Sequence, residues 1–413
     1  MKNKFLNHFL NTSFIKLFSI FIAFTQGIII ARFLLPEGRG TIAIYLAVIT
    51  MLLPLSELGI KQSSSYFLSK MKYGIERIVN TQTITLIISS ILTIILLFLI
   101  YKFKGLDNIF ILLLIFFAIP LRIYISFTTA YGLSNREINK INIVQLILII
   151  TDFLFVVLFF IILDLEVEYY FLSYFLSSLF ASIYTFFWLK NTYNITLRID
   201  IKEYKKESIK IIKKGVTYAL PLFVIGLNYS VDLLILDFYV NKDLLGIYAV
   251  GVTLAVLIWQ LPTILSLLVF SYSVSSNNEK EFSLNLWNKS KLLMVVLIPI
   301  TVIITFILKY LIPFLYGELF TRSFDVVLYL MPGVYTMIAF KLLNGDLAAR
   351  GYPQIAFYIF SFGAILNILL NIFLIPIYNI EGAAIASSIS YIFCSIIFTF
   401  VYYKKTFKRK NDE

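Results

Sequence analysis

The 413-residue sequence has little of the chemistry that metal and redox sites require. It contains one cysteine, Cys394, and one histidine, His8. A single cysteine excludes a disulfide within the chain, and one histidine argues against a zinc or haem site. The Gly-x-x-x-x-Gly-Lys-Ser/Thr phosphate loop of nucleotide hydrolases is absent as well. We therefore expect no metal, no redox chemistry and no bound cofactor, so that any energy must come from an ion gradient or from consumption of a product.

Charge is also scarce. Charged residues make up 14% of the chain and hydrophobic residues 60%, and the long apolar segments are apolar on all faces. About 20 helical residues cross a bilayer core, and a helix satisfies its own backbone hydrogen bonds in lipid. The sequence predicts an all-α integral membrane protein with about twelve transmembrane helices, over residues 14–34, 41–60, 81–103, 108–132, 139–163, 169–189, 214–239, 244–272, 290–313, 325–350, 354–377 and 381–403.

The segments between the predicted helices alternate between many and few positive charges. A net charge of +12 would suggest a nucleic-acid partner in a soluble protein. In a membrane protein, however, Lys and Arg in the loops set the orientation. With the N-terminus inside, the inner segments hold 25 of the 35 Lys and Arg residues and the outer loops hold 6. We therefore predict that both termini are cytoplasmic and that nucleic acid is not a partner.

The longest polar segment divides the helices into two sets of six. It contains eight basic residues between Lys190 and Lys214, and such a segment is expected to lie against anionic lipid headgroups. The predicted organisation is an N-terminal lobe (1–189), a basic cytoplasmic linker (190–213), a C-terminal lobe (214–403) and a basic cytoplasmic tail (404–413).

Weak internal repetition relates the two lobes. An offset of 206 residues pairs Gly40 with Gly246 and Gln26 with Asp232, and an offset of 219 pairs Arg122 with Lys341 and Asp152 with Asn371. Transporters are often built from two related halves with the substrate path between them. The repeat thus places one cation in the middle of a membrane helix in each half.

Arg122 and Lys341 admit two interpretations. A charge in mid-membrane costs about 2.5–3.5 kcal/mol on insertion scales, so it usually faces a partner or a cavity. Asp152 or Asp232 would neutralise the two cations in the first interpretation. In the second, the cations line a path for a phosphate or an acidic sugar. Snorkelling to the interface is the better explanation for Lys16 and Arg32, which lie near helix ends.

Further polar residues follow helical spacing. Gln26 shares a face with Lys16 in the first helix, and Asn367 and Asn371 are four residues apart in the eleventh. Interhelical hydrogen bonding explains any one such stripe. Several stripes in both halves favour a polar cleft between the lobes. Asp152 and Asp232 are the candidates for binding a coupling proton or sodium ion.

Three groups of residues resemble one known family. They are Ala31–Gly40; Asp232–Leu236 with Gly246–Ala249; and Arg350–Pro353 followed by Asn367, Asn371, Leu374–Pro376 and Glu381–Ala384. In these segments the chain resembles the polysaccharide-unit flippases, the O-antigen or Wzx-type translocases of the multidrug/oligosaccharidyl-lipid/polysaccharide exporter superfamily. The sequence departs from the usual pattern at Leu34-Leu35-Pro36, where Leu-Gly-Pro is commoner.

The resemblance implies a MATE-like fold of two six-helix lobes. It also implies a flippase that moves an undecaprenyl-diphosphate-linked oligosaccharide to the outer leaflet of the bacterial plasma membrane, for O-antigen or capsule biosynthesis. Membrane lipids and a glycan polymerase machinery would be its partners. The diphosphate would bind in a cationic cleft formed by Arg122 and Lys341, with Lys16, Arg32, Gln26, Asn367 and Asn371 as further lining, and rocking of the lobes would give alternating access.

Two other functions stay open at the level of sequence. A cation-coupled multidrug or metabolite exporter of the same superfamily needs the same helices, with acidic and aromatic lining in place of cations. A membrane glycan polymerase or glycosyltransferase usually needs a sizeable outer loop, and the outer loops here are short. We therefore expect a transporter, not an enzyme.

Overall fold

The computed structural model describes residues 2–69, 74–106, 108–135, 137–193, 201–274, 276 and 278–407. Within these ranges the secondary structure is helical and no strand occurs. The α-helices are α1 (Lys2–Ser56), α2 (Ile60–Ser69), α3 (Ile75–Phe103), α4 (Ile109–Ser134), α5 (Ile138–Val156), α6 (Glu168–Tyr193), α7 (Ile201–Leu236), α8 (Lys242–Val256), α9 (Gln260–Val274), α10 (Glu279–Tyr316), α11 (Ser323–Ala349) and α12 (Gln354–Phe407). A π-helix (Val157–Ile162) extends α5, and 3-10 turns (Leu257–Trp259 and Glu318–Phe320) precede α9 and α11.

Two of the long helices are broken. The backbone leaves helical geometry at Leu35 in α1 and at Asn379 in α12, where φ is positive. Ten helical stretches of the described chain are long and apolar enough to cross a membrane. Because the breaks lie inside two of these stretches, twelve segments result. The prediction of an all-α, multi-pass membrane protein is confirmed.

Helix ends differ from the sequence prediction where the chain is charged. Helix α7 begins at Ile201, although the prediction started it at residue 214, and α10 begins at Glu279 instead of residue 290. Both extensions are rich in Lys and Glu, which are good helix formers that a hydropathy window excludes. Residues 194–200 of the predicted linker and 408–413 of the predicted tail lie outside the described residues.

The chain forms two compact units. The first contains the residues before Leu35 together with Val48–Phe223. In it, α4 and α5 both pack on α6, and α2 packs on α4. The second unit contains Leu35–Ala47 and the residues from Val224 onwards. Its central helix is α11, on which α8, α9, α10 and α12 pack. The chain passes between the units three times: at the Leu35 break, after Ala47 and, within α7, after Phe223, two residues beyond Pro221.

Helix α12 is a helical hairpin. Three hydrogen bonds link its halves: Asn367 Nδ2 donates to Ser387 Oγ (3.2 Å), Ser390 Oγ to the Gly363 carbonyl (2.9 Å) and Cys394 Sγ to the Ile359 carbonyl (3.8 Å). The partner's residue number rises from 387 to 394 as the number in the first half falls from 367 to 359. The halves are therefore antiparallel, and the chain reverses near Asn379. Small residues at interfaces allow such close packing of membrane helices.

Two glycines of the second unit meet at a backbone crossing. A Cβ atom at Gly40 would lie 1.9 Å from the Lys242 carbonyl oxygen, and one at Gly246 would lie 1.9 Å from the Pro36 carbonyl oxygen. A Cβ atom fits at neither position. These are the two glycines that the 206-residue offset pairs, so repeat-equivalent positions contact each other here.

Candidate functional site

Arg122 lies on α4, two residues after Pro120, and is held by two residues of α6. Its Nε donates to Ser178 Oγ at 2.7 Å, and its guanidinium carbon lies 4.1 Å from the centre of the Tyr174 ring. These two partners are four residues apart, on one face of α6. Within the described residues, no carboxylate oxygen is within 4.0 Å of the guanidinium. A hydroxyl and a π face therefore hold this membrane cation, and its terminal amino groups are not used.

Asp152 of α5 binds an amide and a hydroxyl. Gln26 Nε2 of α1 donates to Asp152 Oδ2 at 2.8 Å, and Ser173 Oγ of α6 donates to Oδ1 at 3.0 Å. The structure thus brings together two of the predicted site residues, Gln26 and Asp152. They connect α1, α5 and α6 within the first unit.

The two other predicted cations of the first unit differ in exposure. Lys16 is half-buried on α1, and it makes no hydrogen bond or ion pair with described residues. Arg32 is exposed, three residues before the break at Leu35. Neither side chain contacts Arg122 through a hydrogen bond, and their assignment to substrate binding stays a prediction.

Lys341 of α11 lies against aromatic rings of the second unit. Its ammonium is 4.4 Å from the centre of the Trp259 ring and 5.4 Å from that of Tyr229. Trp259, Tyr229 and Tyr391 contact one another with centroid separations of 5.2–5.7 Å. The indole Nε1 of Trp259 donates to the Val334 carbonyl at 2.7 Å, which fixes the ring. Cation–π attraction of this kind grows stronger where water is excluded.

Asp232 of α7 is buried and accepts hydrogen bonds from three donors. They are the Tyr248 hydroxyl, Ser387 Oγ at 3.1 Å and its neighbour's amide, Leu233 N, at 2.8 Å. These donors come from α8, α12 and α7 itself. The carboxylate therefore connects three helices through hydrogen bonds.

A chain of amides continues from Asp232. Ser387 accepts from Asn367 Nδ2 at 3.2 Å, and Asn371 Nδ2 donates to Asn367 Oδ1 at 2.7 Å. Both asparagines are fully buried, and Asn371 Oδ1 has no hydrogen-bond partner among the described residues. Three predicted site residues, Asp232, Asn367 and Asn371, thus belong to one network.

The aromatic and hydroxyl partners were not predicted from the sequence. Arg122 is held by Tyr174 and Ser178, and Lys341 lies on the aromatic group of Trp259, Tyr229 and Tyr391. Ser387 connects Asp232 to the asparagines. The i,i+4 spacing of Tyr174 and Ser178 was a signal in the sequence. The aromatic group had no such signal, because its members come from α7, from the 3-10 turn before α9 and from α12.

Metal ligands are sparse in this fold. Among the described residues, no group of three or more His, Cys, Asp or Glu side chains is arranged to hold a metal ion. The groups suited to a small cation are oxygen atoms near Asp232, since hard cations prefer carboxylate, carbonyl and hydroxyl ligands.

The fold is similar to solved structures of transporters. An inward-facing multidrug resistance MATE family transporter of the MOP superfamily aligns over 97% of this chain and 100% of its own, with a TM-score of 0.79 and 11% identity. The lipid II flippase MurJ in an inward closed conformation aligns over 95% of this chain and 87% of its own, with a TM-score of 0.75 and 17% identity. A MOP superfamily transporter from Pyrococcus furiosus aligns over 97% of this chain and 95% of its own, with a TM-score of 0.63 and 11% identity.

These similarities confirm the MATE-like fold. Each of the three proteins is described as a transporter or a flippase, not as an enzyme. At such low identity the likeness concerns the fold.

Two comparisons at the level of sequence also found similar proteins. A segment of 64 residues is 39% identical to an uncharacterised membrane protein of Methanocaldococcus jannaschii, and the match spans 16% of this chain and 15% of that relative. The family model described as polysaccharide biosynthesis protein matches residues 5–270, well over half of the chain. The chain therefore belongs to the polysaccharide biosynthesis protein family of multi-pass membrane proteins, with the fold of MOP superfamily transporters.

Proposed function

We propose that this protein is a flippase for undecaprenyl-diphosphate-linked oligosaccharide units in the bacterial plasma membrane. The units would serve O-antigen or capsule biosynthesis, with a glycan polymerase acting on them afterwards. One observation carries the proposal: in a member of the polysaccharide biosynthesis family, a membrane-embedded arginine is oriented by a serine hydroxyl and a tyrosine ring, with no carboxylate oxygen within 4.0 Å of it among the described residues.

The surroundings of Arg122 suit a diphosphate. Ser178 and Tyr174 fix the Nε side and one face of the guanidinium. The two terminal amino groups retain their donors, and the guanidinium fork matches phosphate geometry. The free energy of moving a diphosphate from water into hydrocarbon without partners is prohibitively high. An arginine already oriented for an anion lowers that cost.

Lys341 contributes the second charge in this proposal. Its ammonium rests on the Trp259 and Tyr229 rings, and a lysine binds phosphate as a point charge. Gln26 donates its amide to Asp152. We therefore assign Gln26 to orienting the first helix. Lys16 and Arg32 are proposed to attract the headgroup as it approaches.

The buried network around Asp232 is proposed to bind the coupling ion. Asp232 supplies a charge, and Ser387 and the unpartnered Asn371 Oδ1 supply further oxygen atoms. We assign Asn367 and Asn371 to this network, because both are fully buried and bonded within it. Either a proton or a sodium ion suits such oxygens. Asp152, with Gln26 and Ser173, is the corresponding candidate of the first unit.

An exporter of small cationic molecules is the second candidate function. It is favoured by the aromatic group of Trp259, Tyr229 and Tyr391 and by the similarity of the fold to a multidrug resistance MATE family transporter. However, Lys341 lies on these rings. A cationic drug at this place would be repelled by the lysine.

The test uses cells that lack the gene, complemented with the wild type or a variant. We expect cells without the protein to lose surface glycan and to accumulate single lipid-linked units on the inner leaflet. Arg122→Ala and Lys341→Ala should fail to restore the glycan, and Arg122→Lys should restore it in part. The matched control is Lys102→Ala, which removes an exposed cation at the end of α3.

Other outcomes would favour other functions. Unchanged glycan with altered drug susceptibility would reject the flippase in favour of the exporter. Units that reach the outer leaflet and are not polymerised would favour an enzyme. For coupling, Asp232→Asn should abolish any dependence of flipping on the sodium or proton gradient, and full gradient dependence in this variant would contradict the assignment.

A further inference from the structure

A buried carboxylate joins four helices near the C-terminal end of α11. Asp346 is fully buried. Ser273 Oγ of α9 donates to its Oδ1 at 2.5 Å, while Ser283 Oγ of α10 and Tyr402 Oη of α12 donate to its Oδ2 at 2.7 and 2.6 Å. We call Asp346 with these three hydroxyl residues the Asp346 cluster. The hydrogen-bonding capacity of this carboxylate is taken up almost entirely by neutral donors.

Arg350 follows one helical turn later, beside the cluster. Its Nη2 lies 3.1 Å from Asp346 Oδ2, and its side chain is 7% exposed. In the described part of the chain, neither its Nε nor its Nη2 has a hydrogen-bond partner, so the Nη2 contact is close but not aligned. Buried donors without acceptors are costly. An acceptor from outside the protein would remove that cost.

Aromatic rings and a second cation complete the surroundings. The guanidinium carbon of Arg350 lies 5.4 Å from the centre of the Tyr402 ring, which stacks on Trp287 at 6.1 Å and 14°. The Lys291 ammonium lies 5.0 Å from the centre of the Trp287 ring. Arg350 and Lys291 therefore lie on a pair of stacked rings, and the one acid in this group, Asp346, is occupied.

We propose that Arg350 binds the phosphate group of an anionic membrane lipid. Its Nε and Nη2, which have no aligned hydrogen-bond acceptor among the described residues, supply the fork that binds phosphate oxygens. The Asp346 cluster, which forms an ion pair with Nη2, is the positioning element that fixes the guanidinium, and Lys291 adds a second charge. The predicted orientation places this site on the cytoplasmic side, where anionic headgroups are found. The lipid is either an anionic phospholipid or the polyprenyl diphosphate carrier, which have this chemistry in common.

The site is separate from the proposed transport site at Arg122. It would hold a lipid phosphate whether the protein flips oligosaccharides or exports another compound. Its test therefore measures binding to purified protein, not transport. A failure here leaves the flippase proposal intact, and a failure of the glycan assay leaves this site intact.

The experiment measures lipid binding to the purified full chain in neutral detergent, by native mass spectrometry. The probes are phosphatidylglycerol, undecaprenyl diphosphate, phosphatidylcholine and inorganic phosphate. We expect Arg350→Gln to weaken binding of the preferred anionic lipid by about tenfold or more, the loss typical of a charged hydrogen bond. Arg350→Lys, which keeps the charge opposite Asp346, should be intermediate. Lys404→Gln, an exposed cation of the same region, should bind like the wild type.

A double-mutant cycle tests the positioning role. Tyr402→Phe removes one donor to Asp346, and we expect it to weaken lipid binding by about threefold, the size of one neutral hydrogen bond. The same change in the Arg350→Gln protein should have no further effect, because the cluster would act through the arginine. An equal loss in both backgrounds would reject the positioning role.

The outcomes separate the possible ligands. Arg350-dependent binding of phosphatidylglycerol identifies a headgroup site, and Arg350-dependent binding of undecaprenyl diphosphate alone identifies a carrier site. Either supports the proposal. Wild-type affinity in both Arg350 variants, equal binding of phosphatidylcholine, or binding of inorganic phosphate alone would overturn it.

Discussion

Leu35 adopts a backbone conformation that is nearly reserved for glycine. Its φ of 58° and ψ of −177° place a branched side chain in that region, immediately before Pro36. A non-glycine residue there costs about 1–3 kcal/mol. The side chain is 52% exposed, so packing offsets little of this cost. The departure from the commoner Leu-Gly-Pro pattern is thus a source of local strain.

Leu35→Gly should therefore stabilise the folded protein. Relief of strain exceeds the about 1 kcal/mol that glycine's extra freedom costs in the unfolded chain, so we expect a higher midpoint of thermal unfolding in detergent. The control is Leu34→Gly, one residue earlier in helical geometry, which should lower that midpoint. A lower midpoint for Leu35→Gly would show that the strain is absent.

The two membrane cations could be predicted from the sequence, whereas their partners could not. A charge inside an apolar segment is visible in any hydropathy profile, and Arg122 and Lys341 are found on membrane helices as expected. Asp152, however, accepts from Gln26 and Ser173, and Arg122 lies on Tyr174. Such contacts join residues that are 21–126 positions apart, and they depend on helix packing that periodicity does not encode.

At the scale of elements, the α12 hairpin depends on small residues. A Cβ atom at Gly363 would lie 2.2 Å from Cys394 Sγ on the other half of the hairpin. Overpacking of this kind typically costs about 1–3 kcal/mol. The glycine and the cysteine therefore fit each other as a pair.

Gly363→Ala should destabilise the protein, and Cys394→Ala should restore part of the loss. The second change removes the sulfur atom that the new methyl group meets. We expect an interaction between the two changes in a double-mutant cycle of thermal midpoints. Additive losses would contradict the contact.

The crossing of Gly40 and Gly246 is less tolerant, because it joins backbones. Gly246→Ala would place a methyl group 1.9 Å from the Pro36 carbonyl oxygen, which no rotamer change relieves. We expect a severe loss of folded protein in size-exclusion chromatography of detergent extracts. Gly74→Ala is the control, since a Cβ atom there has nothing within 4 Å. Normal yields of Gly246→Ala would show that the helices can separate.

The helices themselves could be predicted better than their ends. Long apolar runs predicted twelve segments, and the breaks at Leu35 and Asn379 lie between the predicted segments 14–34 and 41–60 and between 354–377 and 381–403. The charged start of α7, by contrast, gave no hydropathy signal. A window of about 20 residues selects long apolar runs, so it excludes a helical extension that is rich in Lys and Glu.

At the scale of the whole molecule, the orientation in the membrane is open to a direct test. Cys394 is buried, so the wild type should not react with a membrane-impermeant maleimide. We expect Glu166→Cys and Glu318→Cys to be labelled in intact cells. Lys280→Cys and Lys404→Cys should be labelled only after the cells are permeabilised. All four positions are exposed. The reverse pattern would place both termini outside.

The α12 hairpin also bears on how this chain enters the membrane during synthesis. Its halves are joined at Asn379 with no loop to lie in water, and Asn367 of one half bonds to Ser387 of the other. A half inserted alone would expose these polar groups to lipid, at a cost that pairing removes. The last two crossings should therefore leave the translocon together, as one co-inserted unit, after the ribosome has completed both.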